Sequence, residues 1–407
     1  MHDESKDLSE ERDSGWLLLC AVVALLCGIG LMMVLSASSV QALRSYGGAW
    51  VFFERQAMWV GIGVVALAVA ARIDYRRWRR FGGPLVVFSI VLLILVLIPG
   101  MGISVSGSSR WLGVGQWRFQ PAEFAKVAVL LFAADVLARQ FERTKPRPLV
   151  LRPVLLATGA LSVLVLLQPD MGTTIILVCV VLVVLFVGGA SLRSMGALLL
   201  LSAVGGVVIG LLESYRRARL LSFLHPWDDV GNTGYQVAQS LVALGSGRVT
   251  GVGLGASRAK WGFLPNAHTD FIFAIIGEEM GLLGALVVVA LFVVFAFAGV
   301  RAALRAPDRF GMLVASGVTA WVVVQALINI GAVSAIMPVT GVPLPFVSFG
   351  GSSLVITMGA VGLLVNVARA GSRKRPPGPE RIAEPATRNQ NEHRARQPSL
   401  AGARRAR

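Results

Sequence analysis

The chain has 407 residues, of which 55% are apolar and only 15% charged, with a mean hydropathy of +0.71. Soluble domains carry roughly a quarter charged residues, so this composition excludes a soluble enzyme, a disordered protein and a protein with one membrane anchor. The formal charge of +16 is not a nucleic-acid signature, because it is spread over short loops between apolar runs and a basic C-terminal stretch.

Residues 1–15 form an acidic tail of net charge −4, without the basic start of a cleaved signal peptide. Apolar stretches follow near 16–36, 56–73, 82–99, 121–138, 150–167, 171–190, 196–213, 271–298, 311–331 and 350–368. A membrane-spanning helix needs about 20 such residues. The expected fold is therefore an all-α polytopic membrane protein of about ten transmembrane helices over residues 16–369. With the N-terminus inside, the inner segments hold 27 Lys and Arg and the outer ones 9, so both ends are expected in the cytoplasm. Cys20, Cys27 and Cys179 lie in apolar runs and form neither a disulfide framework nor a zinc pattern. Residues 214–270 make a long extracytoplasmic loop between helices 7 and 8. Its stretch Tyr235–Leu244 has helical spacing and is followed by Gly245, Gly247, Gly251, Gly253 and Gly255. Structured loops of this length usually carry function. Residues 370–407 read as a disordered basic tail.

Four stretches carry chemistry. Arg118 to Lys126 opens the fourth span: Pro121 and Glu123 suit a first helical turn, and Glu123 and Lys126 are spaced to pair on one face. That pair is either structural or one wall of a phosphate site. In Gln168-Pro169-Asp170-Met171-Gly172-Thr173-Thr174, Asp170 is placed to cap the next helix. In His268 to Glu279, Thr269 or Asp270 is a candidate helix cap, and Asp270 at the mouth of a cavity is a candidate base. His268 is a hydrogen-bond partner, a proton shuttle or an interfacial residue. Glu278 and Glu279 follow about 12 Å deeper, where adjacent carboxylates need partners or a polar cavity. Last, Met337 to Ser353 packs three prolines and three glycines before the final span, and such backbone must be covered by protein or line a cavity.

Together these stretches resemble the SEDS family (shape, elongation, division, sporulation), over about residues 16–369. Thr340 to Ser353 is similar to the family's most specific signature, and His268 to Glu279 looks closer to the cell-division branch than to the elongation branch. The resemblance implies a peptidoglycan glycosyltransferase at the outer face of the bacterial cytoplasmic membrane, at the division septum. It would polymerise the undecaprenyl-linked precursor lipid II beside a class B penicillin-binding protein transpeptidase and other divisome membrane proteins, without nucleic acid. The family's essential loop aspartate matches Asp270. Many members carry Glu where this chain has Asn266, so no catalytic carboxylate is assigned at that position.

The transfer inverts an α-linkage to a β-linkage, so a single base suffices, and Asp270 is assigned to deprotonate the acceptor hydroxyl. The leaving pyrophosphate needs Arg, Lys or a divalent cation such as Mg or Mn. The outer loops supply Arg110, Arg118, Arg216, Arg217, Arg219, Arg248, Arg258 and Lys260. Arg118, Lys126 and Arg248 are the favoured pyrophosphate ligands, with His268 and Ser352 as further substrate contacts. Glu123, Asp170, Glu278 and Glu279 are expected in cavity or structural roles. The alternatives are a lipid II flippase, an elongation-specific polymerase and a non-enzymatic scaffold.

Overall fold

Helix α1 (Gly15–Tyr46) runs 32 residues without a proline and stops where Gly47 takes a positive φ of 72° and donates its N–H to the Leu43 carbonyl. Helix α2 (Val51–Arg72) returns, and two short turns over residues 75–81 lead to α3 (Gly82–Leu97). These elements belong to a computed structural model that describes residues 15–105, 108–114, 117–142, 151–212 and 234–373, plus turn positions 223, 226–228, 230 and 231. Gly15 and residues 370–373 of the expected tails belong to the first and last helices, and the rest of both tails, with Arg216, Arg217 and Arg219, lies outside the described residues.

A small antiparallel sheet follows in the order β1 (Ile103–Val105), β2 (Ser108–Val114), β3 (Trp117–Phe119), with Leu112 opposite Phe119. Then come α4 (Pro121–Phe141), α5 (Arg152–Leu167), α6 (Met171–Val187), α7 (Leu192–Leu212), the loop helix α8 (Tyr235–Ser246), α9 (Ile272–Leu304), α10 (Arg309–Val333) and α11 (Ser352–Arg373). Sequence dictates several of the starts. Pro121 sits in the first turn of α4, Asp170 accepts the Thr173 N–H to cap α6, and Asp308 accepts the Gly311 N–H to cap α10.

Each of the ten predicted spans falls on a helix. Six helices, at 15–46, 51–72, 75–97, 272–304, 309–333 and 352–372, are long and apolar enough to cross a membrane, and three shorter apolar ones lie at 152–167, 171–187 and 192–206. The chain is a multi-pass membrane protein. Helix α4 differs in kind: it carries Glu123, Lys126, Asp135 and Arg139, and 14 of its 21 residues are buried. It is wrapped by α3, α6 and α10, which is how a helix with four charges can sit in the bundle. Gly317 of α10 lets Leu130 of α4 and Val184 of α6 close over it; a β-carbon there would stand 2.1 Å from Leu130 Cδ1.

Helix α9 is broken. Gly281 has φ 67° and ψ −166°, a conformation open essentially to glycine alone. The loop after α8 is spliced into the break. Val252 and Gly253 donate their N–H groups to the carbonyls of Glu278 and Glu279, while Leu282 and Leu283 donate to the carbonyls of Arg248 and Val249. The splice satisfies backbone groups that the break exposes. It also brings the loop to the end of the bundle that carries the β-sheet, the start of α9 and residues 334–351.

Candidate active site

The segment 334–351 lies over that end as irregular backbone. Val342, Leu344, Phe346, Val347 and Ser348 are buried within it. Its polar groups are met by side chains from the helices. Gln325 donates to the Pro343 carbonyl at 3.0 Å, Asn329 to the Val342 carbonyl at 2.8 Å, and Gln56 to the Ser348 carbonyl at 3.1 Å. The expectation that this backbone is covered by protein therefore holds, and the covering amides come from α2 and α10.

Residues 268–270 are stitched to the same segment. The His268 carbonyl accepts the Phe349 N–H, and the Thr269 carbonyl accepts the Ser348 hydroxyl at 2.6 Å. Asn329 Nδ2 donates at 2.7 Å to the Asp270 carbonyl, so one amide group bridges the two walls. Asp270 is half-buried, and its Oδ2 lies 3.6 Å from the point where a β-carbon on Gly341 would stand. A side chain at 341 would be crowded against the carboxylate, and Gly341 also has a positive φ of 73°. Neither Thr269 nor Asp270 caps α9. The cap residue is Phe271, which makes no side-chain cap bond.

His268 is buried between Phe52 and Phe349, with ring centroids 4.9 and 5.8 Å away. Its Nδ1 has no hydrogen-bond partner, and burial pushes its pKa down to about 4. The ring packs between two aromatic side chains, and its Nδ1 keeps a hydrogen-bonding site that no described protein group fills. Asn266 is exposed with φ 57°, and its carbonyl accepts the N–H groups of Thr269 and Phe271, forming the turn before Asp270.

Lys126 is fully enclosed. Its Nζ is 2.8 Å from Glu123, 3.1 Å from Gln325 Oε1 and 4.6 Å from the Trp321 ring centroid. It has no face left for a phosphate, which corrects its assignment as a pyrophosphate ligand. Glu123 also accepts the Ser353 hydroxyl at 3.0 Å, so the pair ties α4 to α11. Ser352 is buried, and its Oγ accepts the Gln120 N–H at 3.3 Å rather than standing open to substrate. Arg110 is likewise engaged: it donates to the carbonyls of Gln168 and Pro169, and lies 4.0 Å from Asp170, latching the β-sheet to the α5–α6 turn.

Glu278 and Glu279 do not line an open polar cavity, because the long loop fills the space beside them. Glu278 accepts from the Ser257 hydroxyl and the Arg258 and Ala259 N–H groups. Glu279 accepts the Ser36 hydroxyl of α1 at 2.6 and 2.8 Å and pairs with buried Lys260 at 3.6 Å. Two carboxylates thus clamp the loop between α1 and α9. Arg118, Arg248 and Arg258 are exposed, and no ion pair engages them among the described residues. No three His, Cys, Asp or Glu come together as metal ligands among the described residues.

Comparison with known proteins bears on this geometry. A family model described as cell cycle protein, named for FtsW, RodA and SpoVE, matches residues 17–373. The chain is 41% identical to stage V sporulation protein E of Bacillus subtilis, over 89% of this chain and 99% of that protein. It is 43% identical to a probable peptidoglycan glycosyltransferase FtsW of Thioalkalivibrio sulfidiphilus, over 89% of this chain and 90% of the relative. Among solved structures, the chain resembles one described under structural coordination of polymerization and crosslinking by a peptidoglycan synthase complex. That match has a TM-score of 0.70 and 28% identity, over 88% of this chain and 98% of the other. The rod shape determining protein RodA of Thermus thermophilus gives a TM-score of 0.64 at 27% identity, over 86% and 95% of the two chains.

Proposed function

The chain belongs to the FtsW/RodA/SpoVE family of cell cycle proteins, and from that premise we propose that it polymerises lipid II into glycan strands during septal wall synthesis. The active site is the end of the bundle that bears the β-sheet, facing outward from the cytoplasmic membrane with both termini inside. A class B penicillin-binding protein is the expected partner, cross-linking the strands that this chain makes.

One observation carries the mechanism: Asp270 sits at the entry to α9 with its backbone held by Asn329 and its carboxylate beside Gly341. A base must be fixed within hydrogen-bond reach of the hydroxyl it deprotonates, and this one is held through its main chain. Asp270 takes the proton from the acceptor sugar hydroxyl as that oxygen attacks the anomeric carbon. The carbon–oxygen bond to the pyrophosphate breaks on the opposite face, and the pyrophosphate leaves with the electron pair. The exposed guanidiniums of Arg118 and Arg248 are the candidates to offset its charge. Glu123, Lys126, Glu278 and Glu279 are all paired within the protein, so the polar groups that would suit a mid-membrane flippase path are already engaged. The direct test is purified Asp270→Ala with lipid II, scored as glycan polymer on a gel. Polymer equal to wild type would remove Asp270 from the chemistry.

A further inference from the structure

At the same end of the bundle, outside the Asp270 site, a cavity of about 210 Å³ is lined by Glu54, Arg55, Met58, Trp59 and Trp117. Its walls come from the first two turns of α2 and from β3. The two indoles meet edge to face with centroids 5.4 Å apart, which leaves one flat ring face beside the other ring's edge. The Glu54 carboxylate is exposed and has no hydrogen-bond or ion-pair partner among the described residues. Arg55 lies over the Tyr46 ring at 5.3 Å. Trp59 Nε1 stands 3.5 Å from the β-carbon position of Gly351, two residues from Phe349, which packs on His268. The 349–351 stretch thus runs from the cavity wall to the ring that packs on His268.

Below the cavity, Met58, Ile62, Val65 and Val69 are exposed. Their spacing of four, three and four places them on one stripe of α2, running from the cavity down the bundle. An occupant of cavity and stripe together is an amphiphile with a compact polar head and a long hydrocarbon tail. The head carries a sugar. A pyranose has an apolar C–H face to lay on an indole and hydroxyls that need an acceptor, which the Glu54 carboxylate supplies, while Arg55 on the same wall suits the phosphate that joins such a sugar to its tail.

Resting on the polymerase reading, we infer that this cavity is a subsite for a sugar ring of the lipid-linked saccharide substrate, with the polyprenyl chain along the α2 stripe. It is separate from the residues that act on the bond being made. Trp117 is exposed on the β-sheet and Glu54 is exposed on α2, so both can be changed without opening the core.

The test uses the full chain in detergent, in an Asp270→Asn background so that binding is read without turnover. Tryptophan fluorescence is titrated with lipid II, with undecaprenyl diphosphate, or with phosphatidylglycerol. Saturable quenching by lipid II alone is expected. Trp117→Ala and Glu54→Gln should each weaken it about three- to tenfold, the scale of one aromatic or hydrogen-bond contact. In the active protein the same changes should raise KM by that factor with kcat within about twofold. Equal quenching by undecaprenyl diphosphate or phosphatidylglycerol would overturn the sugar assignment, as would unchanged lipid II affinity in both well-folded variants. Failure of the two readings is distinguishable. Polymer made with wild-type KM by both variants removes the subsite alone, whereas binding here by a chain that makes no polymer removes the polymerase alone.

Discussion

Removing Glu123 tests whether the Glu123–Lys126 pair is structural. The two groups are 2.8 Å apart, Lys126 is fully buried and Glu123 is 3% exposed. Glu123→Ala would strand the ammonium in the core with only Gln325 and the Trp321 ring, which costs about 3–5 kcal/mol. The Ser353 hydroxyl also loses its acceptor, worth about 1 kcal/mol. Adding Lys126→Met removes the stranded charge, and replacing both partners of a buried pair by apolar groups is often neutral. The double variant should therefore recover most of the loss, to within about 1–2 kcal/mol of wild type. Unfolding is followed in detergent by circular dichroism for both singles and the double, with polymer formation measured alongside. Activity should return with stability in the double variant. Equal destabilisation in Glu123→Ala and the double, or a stable double with no polymerase activity, would refute the structural assignment and restore Lys126 to the substrate.

Gly281→Ala should destabilise the fold by about 2–4 kcal/mol, because the φ of 67° is strained for any side chain and a β-carbon would stand 2.3 Å from the Gly251 nitrogen. Gly61→Ala, with nothing within 4 Å, should be neutral or stabilising by up to about 1 kcal/mol. Melting temperatures of the pair check both, and equal shifts would contradict the splice at the α9 break. Asn329→Leu leaves the Asp270 and Val342 carbonyls without their donor. It should lower kcat about a hundredfold with little change in KM, the signature of a displaced base rather than a lost ligand; a rise in KM alone would count against it. His268 has a folded pKa of about 4, below the ordinary 6.5, so the unfolded chain binds the proton first as pH falls. Its contribution of about 3 kcal/mol is present above pH 6.5 and lost as pH drops toward 4. The melting temperature of His268→Asn should fall less than that of wild type across this window, and parallel profiles would contradict the burial argument.

Much of this was legible from local chemistry. Pro121 and Glu123 marked the start of α4, Asp170 marked the cap of α6, and the three prolines and three glycines of Met337 to Ser353 marked backbone that helices must cover. What depended on distant partners was not. Glu278 and Glu279 read as lining a cavity because Ser257, Arg258, Lys260 and Ser36, which answer them, lie about 20 residues upstream or on α1. The break at Gly281 was hidden because one glycine in an apolar run is common in membrane helices. The β-sheet over 103–119 was missed because serines and glycines there read as loop. Asn329 left the one signal that could have been followed: a lone amide inside an apolar helix is costly unless it is paired.

The most direct measurement is the rate of glycan polymerisation by Asp270→Asn, purified with its partner penicillin-binding protein and supplied with lipid II. The amide keeps the size of the side chain and removes the proton acceptor. If Asp270 is the base, the rate falls by about 10²–10⁴ while lipid II still binds. A rate within a few fold of wild type would contradict the account.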